Sequence, residues 1–391
     1  MARPIRRAAP VTSTTGRDGM ASYNAAMQHN EGDSVSAALR RRIHEAIAAA
    51  GGWIAFDRFM AMALYEPGLG YYSRDSRKFG SLPSSGSDFV TAPELSPLFG
   101  RALARQVAQA LTAAGSGAVW EFGAGSGALA AQLLESLGEA VQCYTIVELS
   151  GSLRERQRER LAAFGDRVRW VESLPGTLDG VLVGNEVIDA MPVQLLHFDG
   201  QTWWERGVAA HGDSFIWADR PTALRPPVDG VFVPGTVTEI HPQARAFVAT
   251  LAERLQRGAA FFIDYGFPEA EYYLPARHGG TLMCHRAHRA DADPLTDIGE
   301  KDITAHVDFT GIALAAQDAG LDVIGYTTQA HFLMNCGLLE MLRGADLRST
   351  ANAQKLLTEH EMGELFKVIG LARGIALDPI GFARGDRTHT L

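Results

Sequence analysis

The sequence predicts an α/β fold, a mostly parallel sheet flanked by helices, and three observations predict it. An apolar run from Ala118 to Phe122 ends in Gly123-Ala124-Gly125-Ser126-Gly127 and passes into Leu129 to Leu137, whose apolar residues recur at helical spacing. From there strand-like and helical stretches alternate, with strands expected near 118–122, 142–147, 168–171, 180–184, 236–240 and 259–263. After a helical excursion at 338–357, strands at 323–327 and 366–372 read as an antiparallel closing pair. The whole is a Rossmann-like sheet, mostly parallel, with an antiparallel last strand.

Composition sets the outer bounds. With 391 residues, 46% hydrophobic and 21% charged, the chain can bury a large core. No run approaches the ~18 apolar residues of a membrane span, so no membrane insertion is expected. A net charge of −9 offers no general attraction to nucleic acid. Cys143, Cys284 and Cys336 are isolated from one another, which favours a reducing compartment and gives no reason to expect a metal.

The elements follow in order. Residues 1–33 carry Arg3, Arg6, Arg7 and Arg17, with Asp18 the only acid before Glu31, and are expected to be disordered. An Arg-rich, acid-poor start also describes a mitochondrial transit peptide; a bacterial leader with a later start at Met20 or Met27 is the preferred reading. The expected location is therefore the cytoplasm of a bacterium, or the mitochondrial matrix in a eukaryote. Residues 34–391 are read as a single domain. Leu39, Ile43 and Ile47 mark a helix stopped by Gly51-Gly52, and 56–64 a second one, together a helical cap within about 34–90. The polar stretch 73–87 is too long for an ordinary connection. Thr91 or Ser96 caps the helix carrying Leu98, Ala102, Leu103, Val107 and Leu111. Residues 193–235 insert a β-hairpin at the sheet edge, in which Trp203, Trp204 and Trp217 are read as packing, and 266–309 form a second, polar insertion.

The glycine turn and two acids point to a ligand. Glycine lets the backbone turn sharply and a ligand approach closely. Glu148 ends the next strand, 148 − 127 = 21 residues beyond the last glycine, where a carboxylate can accept both hydrogen bonds of a ribose diol. The turn alone also fits a dinucleotide fingerprint. Glu121 discriminates, because an acid two residues before the first glycine suits an ammonium group and sits badly beside a pyrophosphate. S-adenosylmethionine is favoured over NAD. The expected cofactor set is Glu121, Gly123, Ala124, Gly125, Gly127, Glu148, Leu149, then Ser173 and Leu174 after the third strand against an adenine. Asn185 is placed at the methionine part or the substrate. Asp88, Thr91, Pro93 and Glu94 reach over from the N-terminal side.

Several stretches together resemble the MidA family of class I S-adenosylmethionine-dependent methyltransferases. They are Glu66-Pro67-Gly68-Leu69-Gly70-Tyr71-Tyr72, Asp88 through Ser96, Glu121 through Gly127, Asn185 through Val193, Asp264-Tyr265-Gly266, Asp302 through Phe309, and Phe366-Lys367-Val368. The glycine motif is widely shared, whereas D-F-V-T-A-P-E together with N-E-V-I-D-A-M-P is specific. Cys284, His285 and Ile240-His241-Pro242 depart from the pattern. The resemblance implies a class I methyltransferase sheet and methylation of a protein arginine, with a respiratory complex I subunit as the target of the mitochondrial family member. A small-molecule methyltransferase, a NAD oxidoreductase and a non-catalytic binding module are the competing readings, and the oligomeric state, a homodimer included, stays open.

Methyl transfer from a sulfonium asks mainly for alignment of nucleophile, methyl and sulfur. A guanidinium has delocalised lone pairs, so carboxylates that localise its charge and orient one nitrogen are expected. The acids at the strand tips, Glu186, Asp189 and Asp264, are the catalytic candidates. Tyr265 beside them can stack or cap the core. His241, His285 and His306 have no metal-ligand spacing and are expected to be satisfied or exposed.

Overall fold

The computed structural model describes residues 35–74, 91–286 and 289–391. The expected disorder of 1–33, the site role of Asp88 and most of the polar stretch 73–87 lie outside the described residues.

Among the described residues seven strands follow one another across the main sheet, β1 (Ala118–Phe122), β2 (Cys143–Val147), β3 (Val168–Val171), β4 (Leu178–Asn185), β5 (Leu255–Phe267), β6 (Asp322–Thr328) and β7 (Phe366–Arg373), and an eighth, the two-residue Val307–Asp308, pairs parallel with the end of β5. Their order across the sheet is β6-β7-β5-β4-β1-β2-β3. Neighbours from β5 to β3 are parallel, while β7 runs antiparallel to both β5 and β6. The central strand β4 is buried along almost its whole length, as a strand covered by helices on both faces must be. The strand order reverses between β1 and β4, and the crevice beyond their carboxyl ends is where such sheets bind ligands.

The helix Pro97–Ala114 packs on one face of the sheet; Ser96 caps it by accepting from the Leu98 amide, and Gly115 closes it in the left-handed region at φ 63°. Thr91 makes no side-chain cap. On the other face lie the helices Pro242–Arg254 and Phe309–Asp318, with a second core around Val248, Leu251 and Ile312.

The strand expected at 236–240 exists but lies outside the main sheet. Val237–Ile240 pairs with Gln194–Phe198 in a separate antiparallel sheet that also holds Trp203–His211, Ser214–Pro221 and Ile54–Ala55. The hairpin is thus the centre of its own sheet, not an edge addition. The cap helix at 35–49 and the helix Phe56–Tyr65 pack on it, burying Leu39, Ile43, Phe56 and Phe59 against Leu195, Val208 and Phe215. Trp203 is buried, and Trp217 packs on Phe56, in agreement with a packing role.

Insertion 266–309 is more ordered than its polarity suggests. Met283–Arg286, Arg289–Asp291 and Asp302–Thr304 form a third sheet, and Cys284, Ile298 and Ile303 join the cap core. Its polar groups are paired internally: Lys301 Nζ donates to Asp291 at 2.9 Å and to Thr296 Oγ1 at 2.8 Å. Cap, hairpin sheet and insertion therefore share one core and sit over the carboxyl edge of the main sheet. No described helix is long and apolar enough to cross a membrane.

Candidate functional site

A cavity of about 1000 Å³ lies between that edge and the cap. The strand tips build one end of it. Gly123 (φ 63°) and Gly125 (φ 52°) hold left-handed conformations, and a Cβ on Gly123 would stand 2.7 Å from Val187 Cγ2. Glu121, almost wholly buried, accepts a hydrogen bond from Tyr144 Oη at 2.8 Å. Burial pushes its carboxyl up to about 8, opposed by the tyrosine bond. A cation beside it would restore the charge that burial suppresses.

Glu148 lines the cavity at the tip of β2, its Oε1 accepting from the Ser150 amide at 2.9 Å and its Oε2 from Gln157 Nε2 at 3.1 Å. Burial raises its pKa too. The same Gln157 nitrogen donates to the Gly125 carbonyl at 3.0 Å, and its Oε1 accepts from Trp170 Nε1 at 2.9 Å. Gln157 is fully buried and ties the glycine turn to Glu148. Sequence reasoning missed it, although a signal existed: Leu153, Gln157 and Leu161 share one helix stripe, and a polar residue inside a buried stripe needs partners.

The segment after β4 supplies the other acids. Glu186 has φ 55°, uncommon for a residue with a Cβ and a store of strain. Asp264 holds the backbone in place: its Oδ2 accepts from the amides of Val187, Ile188 and Asp189 at 3.1, 2.9 and 3.3 Å, and its Oδ1 from Tyr265 N at 3.0 Å. Glu186 Oε1 accepts from Asn185 Nδ2 at 2.9 Å. Burial, with Asp189 nearby, pushes the Glu186 carboxyl up to about 8, and burial raises Asp189 to about 6 despite the bond it accepts from Tyr265 Oη.

Of the residues expected in the site, Thr91, Pro93, Glu121, Gly123, Ala124, Gly125, Glu148, Leu149, Asn185, Glu186 and Asp189 line this cavity. Others do not. Asp264 is buried behind the Glu186 segment, spending its oxygens on backbone amides, so the geometry makes it a positioning residue and not one that touches substrate. Glu94 is taken by Arg160 Nη1 at 2.7 Å and by Ser126 Oγ, bracing the glycine turn from outside. Gly127 turns into the helix Ala128–Leu137 with φ 81°. Ser173 and Leu174 stay off the cavity, Leu174 packing against the core beneath.

The cavity also gathers residues that the sequence did not connect: Tyr65 and Tyr72 from the cap, Asp302, Thr304 and His306 from the insertion, and Phe366 from β7. His241 is satisfied by Tyr272 Oη at 3.1 Å, as expected. His306 is not: its Nδ1 is buried with no protein partner, and burial, with Arg277 and Lys367 nearby, lowers its pKa to about 4. His285 lines the cavity as well. Among the described residues no three His, Cys, Asp or Glu side chains gather as a metal site.

These groups fit S-adenosylmethionine. Asn185 Oδ1 and Asp189 Oδ1 are buried acceptors without a protein donor, as expected where a bound ammonium or similar donor completes the site. Glu121 and Asn185 would face the amino-acid part, and Glu148 the ribose.

The chain's relatives agree with this cofactor. Residues 102–327 match the model of a family described as S-adenosyl-L-methionine-dependent methyltransferases. A crystal structure of a Burkholderia thailandensis protein bound to S-adenosyl-homocysteine is 51% identical, covers 92% of this chain and 98% of its own, and superposes with a TM-score of 0.89. The Danio rerio protein arginine methyltransferase NDUFAF7 is 26% identical over 87% of this chain and 89% of its own length, and a Caenorhabditis elegans homolog is 25% identical over 75% of each. The chain belongs to this methyltransferase family, the MidA-like group that its motifs resemble, and S-adenosylmethionine is its cofactor.

Proposed function

We propose that the protein methylates an arginine side chain of a protein substrate. One observation carries this reading: five carboxylates, Glu121, Glu148, Glu186, Asp189 and Asp302, line the cavity, and among the described residues none of its lining is a lysine or arginine. Two of the five are accounted for by the cofactor's ammonium and ribose. Of the remaining three, Glu186 and Asp189 suit a second cation. A planar guanidinium with five N–H donors matches acceptors on several walls better than a compact ammonium. The names of the curated relatives, protein arginine methyltransferases, support the same choice.

Bound S-adenosylmethionine supplies a methyl group on a sulfonium. Glu186 and Asp189 would orient one guanidinium nitrogen in line with it and draw charge onto the other two. The nitrogen forms the new N–C bond while the C–S pair stays on sulfur. It then sheds one proton, which Glu186 or Asp189, each with raised proton affinity, is placed to take. By the resemblance, a complex I subunit is the first acceptor to try. Tritium labelling of a cell extract by the purified protein, followed by identification of the labelled residue, tests the proposal. Label on arginine is expected; label on another residue, or only on a small molecule, would overturn it.

A further inference from the structure

His306 stands in the motif Asp302 through Phe309 and lines the cavity, yet the transfer step leaves it without a role. Its backbone is held by a satisfied network: the His306 amide donates to Thr281 Oγ1 at 3.0 Å, Thr281 Oγ1 pairs with Tyr272 Oη at 2.9 Å, and Tyr272 Oη donates to Glu239 Oε2 at 2.9 Å. The ring packs against Tyr265 and Phe267 of β5, with centroids 5.1 and 5.2 Å away. Its Nδ1 is left buried and without a partner. Buried polar groups are normally paired, so an orphaned nitrogen on a cavity wall points to a group that the ligand brings. Its place in the sheet says which end of the cavity it serves. The adjoining strand Val307–Asp308 pairs with the end of β5, so His306 lies on the β5 side of β4, whereas Glu121 and Glu148 stand on the other side, on β1 and at the tip of β2. Two contacts tie it to Asp189: Tyr265 donates from its Oη to the Asp189 carboxylate, and the Ala305 amide donates to the Asp189 carbonyl at 3.0 Å.

We infer that the His306 imidazole touches the methyl acceptor and accepts a hydrogen bond from one of its N–H groups. A neutral imidazole always has one bare nitrogen. Burial, with Arg277 and Lys367 nearby, keeps this ring neutral at neutral pH. A protonated ring would repel a guanidinium, whereas the neutral one offers it an uncharged acceptor beside Asp189. A half-turn about Cβ–Cγ exchanges Nδ1 with Cδ2 while the ring keeps its place, so the ligand can draw the bare nitrogen toward itself. This inference rests on the guanidinium acceptor proposed above and adds a residue that receives it.

The test uses the full chain with S-adenosylhomocysteine bound, titrated with a peptide holding a single arginine and with the same peptide holding citrulline. His306→Phe keeps an aromatic ring and removes both nitrogens; it should weaken the arginine peptide at least about tenfold and change S-adenosylhomocysteine affinity less than about twofold. His306→Asn and His306→Gln keep an amide oxygen near Nδ1 and near Nε2, and at least one of them should stay within about threefold of the wild type. Should the Phe variant not fold, His306→Leu, which has the shape of Asn without its acceptor, takes its place. Unchanged peptide affinity in the apolar variant, equal losses of peptide and cofactor, or amide variants as weak as the apolar one would overturn the inference. If the wild-type protein does not prefer arginine over citrulline, the arginine reading fails separately. Tritium labelling of extract then decides the role of His306 without a chosen peptide: labelling lost in the apolar variant with cofactor affinity intact, and regained in an amide variant, sustains it, and undiminished labelling refutes it.

Discussion

Glu121 is the side chain at which cofactor binding is expected to couple to pH. Its carboxyl has an ordinary value of 4.5 and rises to about 8 in the fold because it is buried. Between those values the folded, unliganded protein holds a proton that the unfolded chain has released, so this group's contribution to stability falls as pH rises through that window. A ligand ammonium favours the ionised form and reverses the cost. Binding of S-adenosylmethionine should therefore release protons between about pH 5 and 8 and tighten as pH rises, and Glu121→Gln should weaken binding and abolish that share of the release. Calorimetry in buffers of different ionisation enthalpy reads it directly; an unchanged proton count in the variant would remove Glu121 from the ammonium site. Glu121 was legible in the sequence because its offset from the glycines is local. Gln157 was signalled by its place in a buried stripe and overlooked, whereas Tyr72 and Asp302 were not legible, because they are brought together by the fold across 230 residues of sequence.

At the scale of elements, the glycine turn between β1 and the helix Ala128–Leu137 lines the cavity and is the element expected to position the cofactor. Gly125 has φ 52°, and its carbonyl is held by Gln157. Gly125→Val would strain the backbone and fill ligand space, so it should abolish S-adenosylmethionine binding while leaving a cooperative thermal transition. Wild-type affinity in that variant would reduce the turn to a structural device. The strands and the antiparallel last strand could be read from period and punctuation. Val237–Ile240 was assigned to the wrong sheet because alternation marks a strand without naming its partner, and here the partner is Gln194–Phe198. Asp264 misled for a related reason: a carboxylate at a strand end looks the same whether it faces a ligand or, as here, three backbone amides.

Over the whole molecule, the cavity is divided between two structures. The sheet supplies the cofactor end, and the cap, hairpin sheet and insertion, sharing one core, close over the end where Glu186, Asp189 and Asp302 gather. If that division is right, a change at the acceptor end should reach the chemistry without reaching the cofactor. Glu186→Gln keeps the side chain's shape and removes its charge, and a group that stabilises the transition state more than the ground state shows itself in turnover. The decisive measurement is methyl incorporation into the identified protein substrate by Glu186→Gln, with S-adenosylmethionine affinity followed in parallel by calorimetry. The rate should fall on the order of a hundredfold, while the dissociation constant moves by less than about a factor of five, well under the tenfold that 1.4 kcal/mol represents. Equal losses in both would move Glu186 to the cofactor, and undiminished methylation would contradict the acidic acceptor end altogether.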